Sequence, residues 1–577
     1  MSNYQKPHRT PDQQVVELAE KYEGKPEALL EILKELNSDH HFLKKEIIAD
    51  VARSLNIPEK HAYGVASFYS MLSLELSKEN IVRVCDGPVC WLGGSSKVHK
   101  AINEKFKDHP KWTVERSSCL GLCDRAPAIN INNHQGGPLS LDQINNAPLS
   151  WTGNNPDYSQ ARPGELRVML AKAGIIDPNS IESALENGAF LGLEKSLNLS
   201  GEDVINQVEE SGLAGRGGAG FPVGRKWRFV SLAESELKYV ICNADESEPL
   251  IFKDRVLIDT NPQQILEGMA IAGYATGASE AFIYIRGEYE QQALKLERAV
   301  QQAEYIGWLG DNIQGSGFSF HVHVHRGAGA YICGEETALI ESLEGKRGEP
   351  RLRPPYPPSN GYRGLPTLVN NVESFAAIPS ILRNGAEWYL SFSGSDTPGT
   401  KLYMILGHIK NPGIFEAPFD LTLREIIDQF GGGMRSGSTF QFALTGGAAG
   451  TIVPEFLLDI PINYQSASKG VSLGAGAFLI CDQTVSAVEF LHQLMHFFES
   501  ESCGKCTPCR VGTHRIHHIL GQLSKGEGKP GDINKIADLA NYMFDASFCG
   551  LGQSVSVPIN SALKNFAPEF KAAIKVN

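Results

Sequence analysis

Three cysteines spaced by two residues each, Cys503, Cys506 and Cys509, stand in the run Glu-Ser-Cys-Gly-Lys-Cys-Thr-Pro-Cys, and a fourth, Cys549, follows at a distance. No other stretch constrains the fold as much. Three thiolates from one tight loop and one from an element packed against it are the ligand arithmetic of a four-iron cluster, so the segment carrying Cys549 has to return to the loop. A zinc site or a pair of disulfides is the alternative. Val485, Val488, Leu491, Leu494 and Met495 recur at helical spacing ahead of the loop, so this end of the chain is expected to be helical.

A second cysteine group lies near the other end. Cys85 and Cys90 are separated by four residues and Cys119 and Cys123 by three, and each pair adjoins a short β run, Ile81 to Val84 and Ala128 to Ile131. Pairs on loops at strand ends, with Gly87, Pro88 and Gly121 to bend the chain, can wrap four thiolates around a two-iron cluster. Zinc is again the alternative, although its usual spacing within a pair is about two residues. Eight of eleven cysteines are thus grouped, which points to metal or redox chemistry rather than a disulfide framework. Cys242, Cys333 and Cys481 read as small buried apolar residues.

The polar N-terminus carries no signal-peptide core, and no run approaches the ~18 apolar residues of a membrane span, so the expected location is cytoplasmic. A formal net charge of −13 argues against a nucleic-acid surface. At 577 residues the chain has room for several domains. Residues 11 to about 70 read as amphipathic helices, with Pro58 at the first turn of the fourth, and 133 to 165 as the end of one domain and a linker.

Between the cysteine groups, Gly215 to Lys226 holds five glycines in ten residues, flanked by the cations Arg216 and Lys226. Such a loop can approach a phosphate closely. Gly215, Gly217 and Gly220 match a dinucleotide fingerprint, but that pattern needs a strand before it and a helix directly after it. Residues 203 to 213 are helical in pattern, and Pro222 with Gly224 interrupts the chain beyond the loop, so the expectation is a nucleotide loop of another kind, or simply a turn. A short strand, Tyr239 to Cys242, then leads into Asn243-Ala-Asp-Glu-Ser-Glu-Pro. Asn243 and Asp245 can face a flavin edge or a ribose, and a solvated acidic turn is the alternative. His321, His323 and His325 share one strand face, with a half-exposed strand a better reading than a metal site. That strand runs into Gly-Ala-Gly-Ala-Tyr-Ile-Cys-Gly-Glu-Glu and a helix starting near Gly334, whose Glu335 and Glu336 are dipole partners or ribose ligands. The run Arg353-Pro-Pro-Tyr-Pro-Pro reads as a stiff extended segment. Residues 401 to 464 read as an α+β unit with a helix over Leu423 to Phe430 and no catalytic residue types.

From about residue 165 to 575 the chain resembles the flavin-bearing, NADH-oxidising subunit of respiratory complex I, and residues 11 to 150 resemble its thioredoxin-like two-iron subunit, here fused ahead of it. The motifs carrying the resemblance are Gly-Arg-Gly-Gly-Ala-Gly-Phe-Pro, Asn-Ala-Asp-Glu-Ser-Glu-Pro with Phe-Lys-Asp-Arg, Gly-Ala-Gly-Ala-Tyr-Ile-Cys-Gly-Glu-Glu and Glu-Ser-Cys-Gly-Lys-Cys-Thr-Pro-Cys-Arg. The resemblance implies a multidomain α/β and α+β fold. Its parts are an N-terminal helical bundle (1–75), a thioredoxin-like 2Fe-2S domain (76–150), a linker (151–190), an FMN/NAD-binding domain (191–395), a ubiquitin-like SLBB-type domain (396–472) and a helical 4Fe-4S domain (473–577).

The same resemblance implies an FMN site at Gly215, Arg216, Gly217, Lys226, Asn243, Asp245, Glu246, Tyr331, Gly334, Glu335, Asn370 and Asn371. NAD(H) is implied at Phe221, Phe229, Glu248, Glu336, Arg353 and Tyr356, with Glu248 orienting the nicotinamide. The clusters fall to Cys85, Cys90, Cys119 and Cys123, and to Cys503, Cys506, Cys509 and Cys549. The chain departs from the family where Leu250 and Ile251 replace Gly and Ser or Thr, which bears on the dinucleotide pocket and on NAD over NADP. Fused chains of this layout resemble the β subunit of NAD-dependent molybdenum or tungsten formate dehydrogenase, on Asp-Ala-Ser-Phe-Cys-Gly-Leu-Gly-Gln and Leu-Thr-Gly-Gly-Ala-Ala-Gly. The diaphorase subunit of a soluble NAD-reducing hydrogenase or of a complex I-like dehydrogenase is the alternative. A non-catalytic iron-sulfur carrier is the reading from another class, and a zinc-stapled binding protein a third.

Overall fold

The structure, a computed structural model, describes residues 11–132, 134–146, 156–392 and 397–575. The domain boundaries expected at 150/151 and 395/396 lie outside the described residues. Helices Gln13–Lys21, Leu29–His40, Lys45–Ser54 and Glu59–Ala66 open the described chain. They bury Val15, Leu30, Leu33, Leu36, Val51 and Val65 against one another, as the apolar spacing requires. Pro58 stands as N-cap of the fourth helix, one position before its first turn. The bundle is tied to the central part of the chain: Tyr69 donates its hydroxyl to Ser342 Oγ at 2.7 Å and the Met71 amide donates to the Ala328 carbonyl at 3.0 Å.

The first sheet has the order β2-β1-β3-β4, from β1 (Asn80–Cys85), β2 (Trp112–Ser117), β3 (Ile129–Ile131) and β4 (His134–Gly136). β1 and β2 are parallel and the other pairs antiparallel. Strand β4 and the helix Leu141–Asn146 fall in a stretch whose Asn, Gly and Gln content reads as loop. From residue 156 the expected linker is packed as a strap. The Met169 and Leu170 amides each donate to the buried Glu416 carboxylate at 3.0 Å, and Arg162 donates to the carbonyls of Asn411, Pro412 and Phe430.

The central sheet is parallel throughout, in the order β7-β6-β5-β8, from β5 (Tyr239–Ala244), β6 (Glu280–Ile285), β7 (His321–Arg326) and β8 (Thr367–Asn371). The chain runs outward from β5 to β6 and β7 and returns on the other side as β8. That makes the carboxyl end of β5 a switch point, where ligands bind in open parallel sheets. The register puts Cys242 beside Asn370 and Asn243 beside Asn371 at that end. On β7 each imidazole faces its own carboxylate, His321 to Asp311, His323 to Glu280 and His325 to Glu31.

The third sheet, in the order β10-β9-β13-β11-β12, comprises β9 (Thr400–Gly407), β10 (Gly413–Pro418), β11 (Phe440–Thr445), β12 (Thr451–Val453) and β13 (Ala477–Asp482). One face of β9 (Tyr403, Ile405) joins a local core in which Phe415 and Phe430 stack at 4.0 Å, while Leu402 and Met404 enter the main core. The helix expected at 423–430 is one turn, Leu423–Glu425, continued as a π turn over Ile426–Phe430. Helices Ala487–Glu501, Thr507–Leu523, Asp532–Ala546, Gly550–Ser554, Ser556–Asn565 and Ala567–Ala572 complete the fold. No helix among the described residues is long and apolar enough to cross a membrane.

Candidate active site

Residues 213–223 form a narrow loop pinned at its neck, where the Gly215 amide donates to the Phe221 carbonyl at 2.8 Å and the Val223 amide to the Leu213 carbonyl at 2.9 Å. Gly220 has φ +68°, and a Cβ there would lie 2.7 Å from the Tyr464 ring. Contrary to the expectation from Pro222 and Gly224, a helix comes directly after the loop: Val223–Ser231 starts after Pro222, which occupies the N-cap, where a missing amide hydrogen costs nothing. The missing element of a Rossmann fingerprint is therefore only the preceding strand, whose place helix Gly201–Glu210 takes.

Arg216 does not meet the expectation of a phosphate ligand. Its side chain is fully buried away from the cleft, donating to the Tyr389 hydroxyl and to the carbonyls of Pro398 and Thr400, and its guanidinium covers the Phe419 ring at 4.6 Å. It anchors the loop from behind. Lys226 is likewise engaged, with the Val369 carbonyl at 3.0 Å and Glu336 at 3.2 Å, and Arg353 reaches Glu336 at 3.2 Å.

In front of the loop lies a cavity of about 640 Å³. From the predicted residues it takes Gly217, Asn243, Asp245, Glu246, Glu248, Tyr331, Gly334, Glu335 and Asn371. The Asn243 amide group donates to the Gly334 carbonyl at 2.8 Å and accepts from the Asp245 amide at 3.1 Å, which locks the two cleft loops together. Glu246 caps the helix Lys253–Thr260, accepting from the amides of Asp254 at 2.7 Å and Arg255 at 3.0 Å. Burial nonetheless pushes its carboxyl up to about 8. Burial also raises Asp245 and Glu248 above the usual carboxylate range.

Several wall residues are not among those the sequence singles out. Lys253 and Asp254 line the cavity, with Lys253 Nζ 2.6 Å from Asp254 and 2.9 Å from the Asn371 side-chain oxygen. They belong to Phe-Lys-Asp-Arg, one of the motifs of the family resemblance, and that motif is the signal that could have found them. The third sheet also contributes, through Gly446, Ala449, Tyr464 and residues 472–475, although its sequence shows no catalytic residue types. Glu248 is held across this seam: it accepts the Tyr331 hydroxyl on one oxygen and the Ala449 amide at 3.0 Å on the other. Ile251 lines the cavity, whereas Leu250 is buried outside it with φ +80°, so only one of the two departing residues changes the pocket wall.

The other predicted residues lie outside this cavity's walls. Phe221, Phe229 and Tyr356 are 43%, 46% and 55% exposed. The proline run is not fully extended, because Pro357–Asn360 forms a helical turn packed near the helix Val223–Ser231.

Cys503, Cys506, Cys509 and Cys549 line one small pocket together with Ile332, Pro350, Phe548 and Leu551. Cys506 and Cys549 are N-caps of the helices Thr507–Leu523 and Gly550–Ser554, and at Cys549 the amides of Leu551 and Gly552 favour the thiolate. Burial outweighs those amides at Cys549, raising it to about 11, and raises Cys509 to about 12. At the other end, Cys119 is held well below its usual range by hydrogen bonds from the thiols of Cys123 and Cys85, and Cys85 is in turn bonded to Cys90. Arg286 ties this group to the cleft, donating to the carbonyls of Cys119 and Glu246 at 2.6 Å each. Among the described residues no group of three or more His, Cys, Asp or Glu is arranged to hold a single metal ion. The C-terminal four line one pocket, and the other four form a run of sulfur contacts from Cys90 through Cys85 and Cys119 to Cys123.

Four family models match the chain: the Nuo51 FMN-binding domain over residues 208–380, the NADH-ubiquinone oxidoreductase-F iron-sulfur binding region over 489–573, the thioredoxin-like [2Fe-2S] ferredoxin over 15–147 and the SLBB domain over 402–450. The F subunit 2 of NADH-quinone oxidoreductase in Rhizobium meliloti is 41% identical over 71% of this chain and 97% of its own length. The chain belongs to the family of the NADH-quinone oxidoreductase F subunit. The NADP-reducing hydrogenase subunit HndC of Solidesulfovibrio fructosivorans is 42% identical over 71% of this chain and 84% of its own. A chain of the NAD+-reducing [NiFe]-hydrogenase in the H2-reduced state aligns with a TM-score of 0.84 at 30% identity, covering 96% of this chain and 94% of that one.

This member of the family carries an FMN-binding domain, a 2Fe-2S domain and a 4Fe-4S domain. The residues present fit those groups. A cavity of 640 Å³ is of the size that takes a small cofactor, ~300–1,000 Å³. Its walls include glycine backbone at 217, 218, 334, 446, 450 and 474, and Asn370 Oδ1 is buried at the carboxyl end of β8 with no hydrogen-bond partner among the described residues. Buried thiols, all four at the first sulfur site and Cys509 and Cys549 at the second, are costly as free thiolates, and iron is the compensating charge.

Proposed function

We propose that the chain is the NAD(H):FMN oxidoreductase, or diaphorase, subunit of a cytoplasmic hetero-oligomeric enzyme, passing electrons between NAD+ and a partner catalytic subunit. When bound, the flavin exchanges hydride with nicotinamide and single electrons with iron-sulfur clusters, which is the chemistry these cofactors supply. One observation carries the reading: Ile332 and Leu551 line both the 640 Å³ cavity and the pocket of the four C-terminal cysteines, so the two sites share a wall one side chain thick. In this reading Gly217, Asn243, Asp245, Glu246, Tyr331, Gly334, Glu335, Asn370 and Asn371 hold FMN. Phe221, Phe229, Glu336, Arg353 and Tyr356 receive the dinucleotide, and Glu248 orients its nicotinamide. Lys226 and Gly215 support the loop, and Arg216 acts only from behind it.

Two partners have support. The stretches around Cys549 and Gly446 favour the β subunit of an NAD-dependent formate dehydrogenase, with a molybdopterin α subunit. The likeness to the hydrogenase chain, which extends over 96% of this chain including the N-terminal region, favours a hydrogenase module. Purification with bound partners under nitrogen, followed by NAD+ reduction assays with formate and with hydrogen, decides between them. A non-catalytic carrier predicts that the chain with FMN leaves an artificial acceptor unreduced by NADH; the open, glycine-lined cavity speaks against that.

A further inference from the structure

Three loops each carry one of the sites described above, and one carboxylate touches all three. Glu501 ends the helix Ala487–Glu501 and stands two residues before Cys503. One of its oxygens accepts the hydroxyl of Ser118, the neighbour of Cys119. The other accepts the Tyr331 amide at 3.0 Å, and Tyr331 in turn donates its hydroxyl to Glu248. The Tyr331 ring packs edge-on against Phe497, one helical turn before Glu501, with centroids 5.1 Å apart. Glu501 also borders a chamber of about 330 Å³ whose walls come from all three parts, with Arg116, Glu288, Ala330 and His496 among them.

Other side chains join only two of these parts. Arg286 connects the Cys119 loop to the cleft, and Gln493 donates to the Asp86 carbonyl at 2.8 Å, linking the C-terminal helix to the Cys85 loop. A carboxylate that uses both oxygens on donors from separate loops fixes the distance between them, because each bond restricts the other.

We propose that Glu501 is a positioning residue that sets the mutual placement of the Cys119 loop, the Cys503 loop and the Tyr331 loop, and thereby of the cofactors they hold. The inference rests on the diaphorase reading for its consequence, but its structural content is testable apart from it. The full chain is purified anaerobically with its clusters as wild type, Glu501→Ala, Glu501→Gln and Ser118→Ala, and spectra are recorded per mole of cluster. With dithionite as reductant, Glu501→Ala alters the EPR line shapes and midpoint potentials of both clusters, and Ser118→Ala alters those of the two-iron cluster alone. Glu501→Gln, which keeps an acceptor for the Tyr331 amide and offers its NH2 to the Ser118 hydroxyl, restores both. With NADH as reductant, the appearance of cluster signals in Glu501→Ala slows about tenfold or more, the scale of a small misplacement. Wild-type line shapes and potentials in Glu501→Ala overturn the proposal. If that variant does not fold, an unchanged two-iron signal in Ser118→Ala overturns it. Clusters of the wild-type chain that dithionite reduces and NADH does not would instead overturn the diaphorase reading, leaving the dithionite comparison to judge Glu501.

Discussion

Glu248 shows how much a single side chain is asked to do. Its carboxylate is shared between the Tyr331 hydroxyl and the Ala449 amide, which aims it along the cleft wall rather than into solvent. Glu248→Gln keeps the volume and one acceptor but sets an NH2 against one of two donors. The expected outcome is a fall in kcat/KM for NADH with an artificial acceptor of about tenfold to a hundredfold, with FMN content unchanged by absorbance. Residue types at the cleft were legible because the chemistry needs amides, acids and glycines in short runs. Side-chain direction was not: Arg216 has the charge of a phosphate ligand, yet its guanidinium finds buried carbonyls at residues 398 and 400, partners about 180 positions away that no local pattern announces.

At the scale of elements, the glycine loop and the strap give separate tests. Gly220→Ala forces a side chain into the left-handed region, a cost of about 1–2 kcal/mol, and drives its Cβ to 2.7 Å from the Tyr464 ring. Thermal unfolding should drop accordingly and bound FMN should decrease, because the loop cannot close on the cleft. The strap is sensitive to pH. Burial raises the Glu416 carboxyl from 4.5 to about 7, so folding favours its protonated form. Its contribution is complete below about pH 4.5 and is lost as pH rises through 7. Glu246, raised to about 8, acts in the same direction. Tm should therefore decline between pH 5 and 8, and Glu416→Gln should flatten that decline even where it lowers Tm overall; an equal slope in both proteins refutes the assignment. Helices were legible here from the 3.6-residue period, as in Leu29, Leu30, Leu33 and Leu36. Strand β4 and the packed strap were not, because three-residue strands carry no period and Asn, Gly and Pro describe a tied-down segment as readily as a loose one.

Over the whole molecule the cysteine spacing foretold more than the intervening sequence did. Cys549 returns to the Cys503 loop, as a set of three ligands plus one requires, and its pocket is closed by Ile332 and Pro350 from the central part of the chain. Cys549→Ser should abolish the four-iron EPR signal and lower Tm while leaving the two-iron signal in place, since Cys85, Cys90, Cys119 and Cys123 lie in a separate sheet region. Loss of both signals together would show that the two sites do not assemble independently. How the third sheet reaches the cleft was illegible, because much of its contribution is glycine at 446, 450 and 474, which has no chemical signature.

The seam across Glu248 reaches into the making of the protein as well as its working. The cavity wall is complete only when residues near 217, 248, 331, 449 and 551 have come together, and these are spread over more than half of the chain. A cofactor that binds this wall binds only the docked arrangement and stabilises it by mass action. Flavin uptake is then linked to folding: a chain whose C-terminal helices are misplaced loses Gly550, Leu551 and Ser554 from the wall, and FMN bound per mole of protein counts the molecules that reached the docked arrangement.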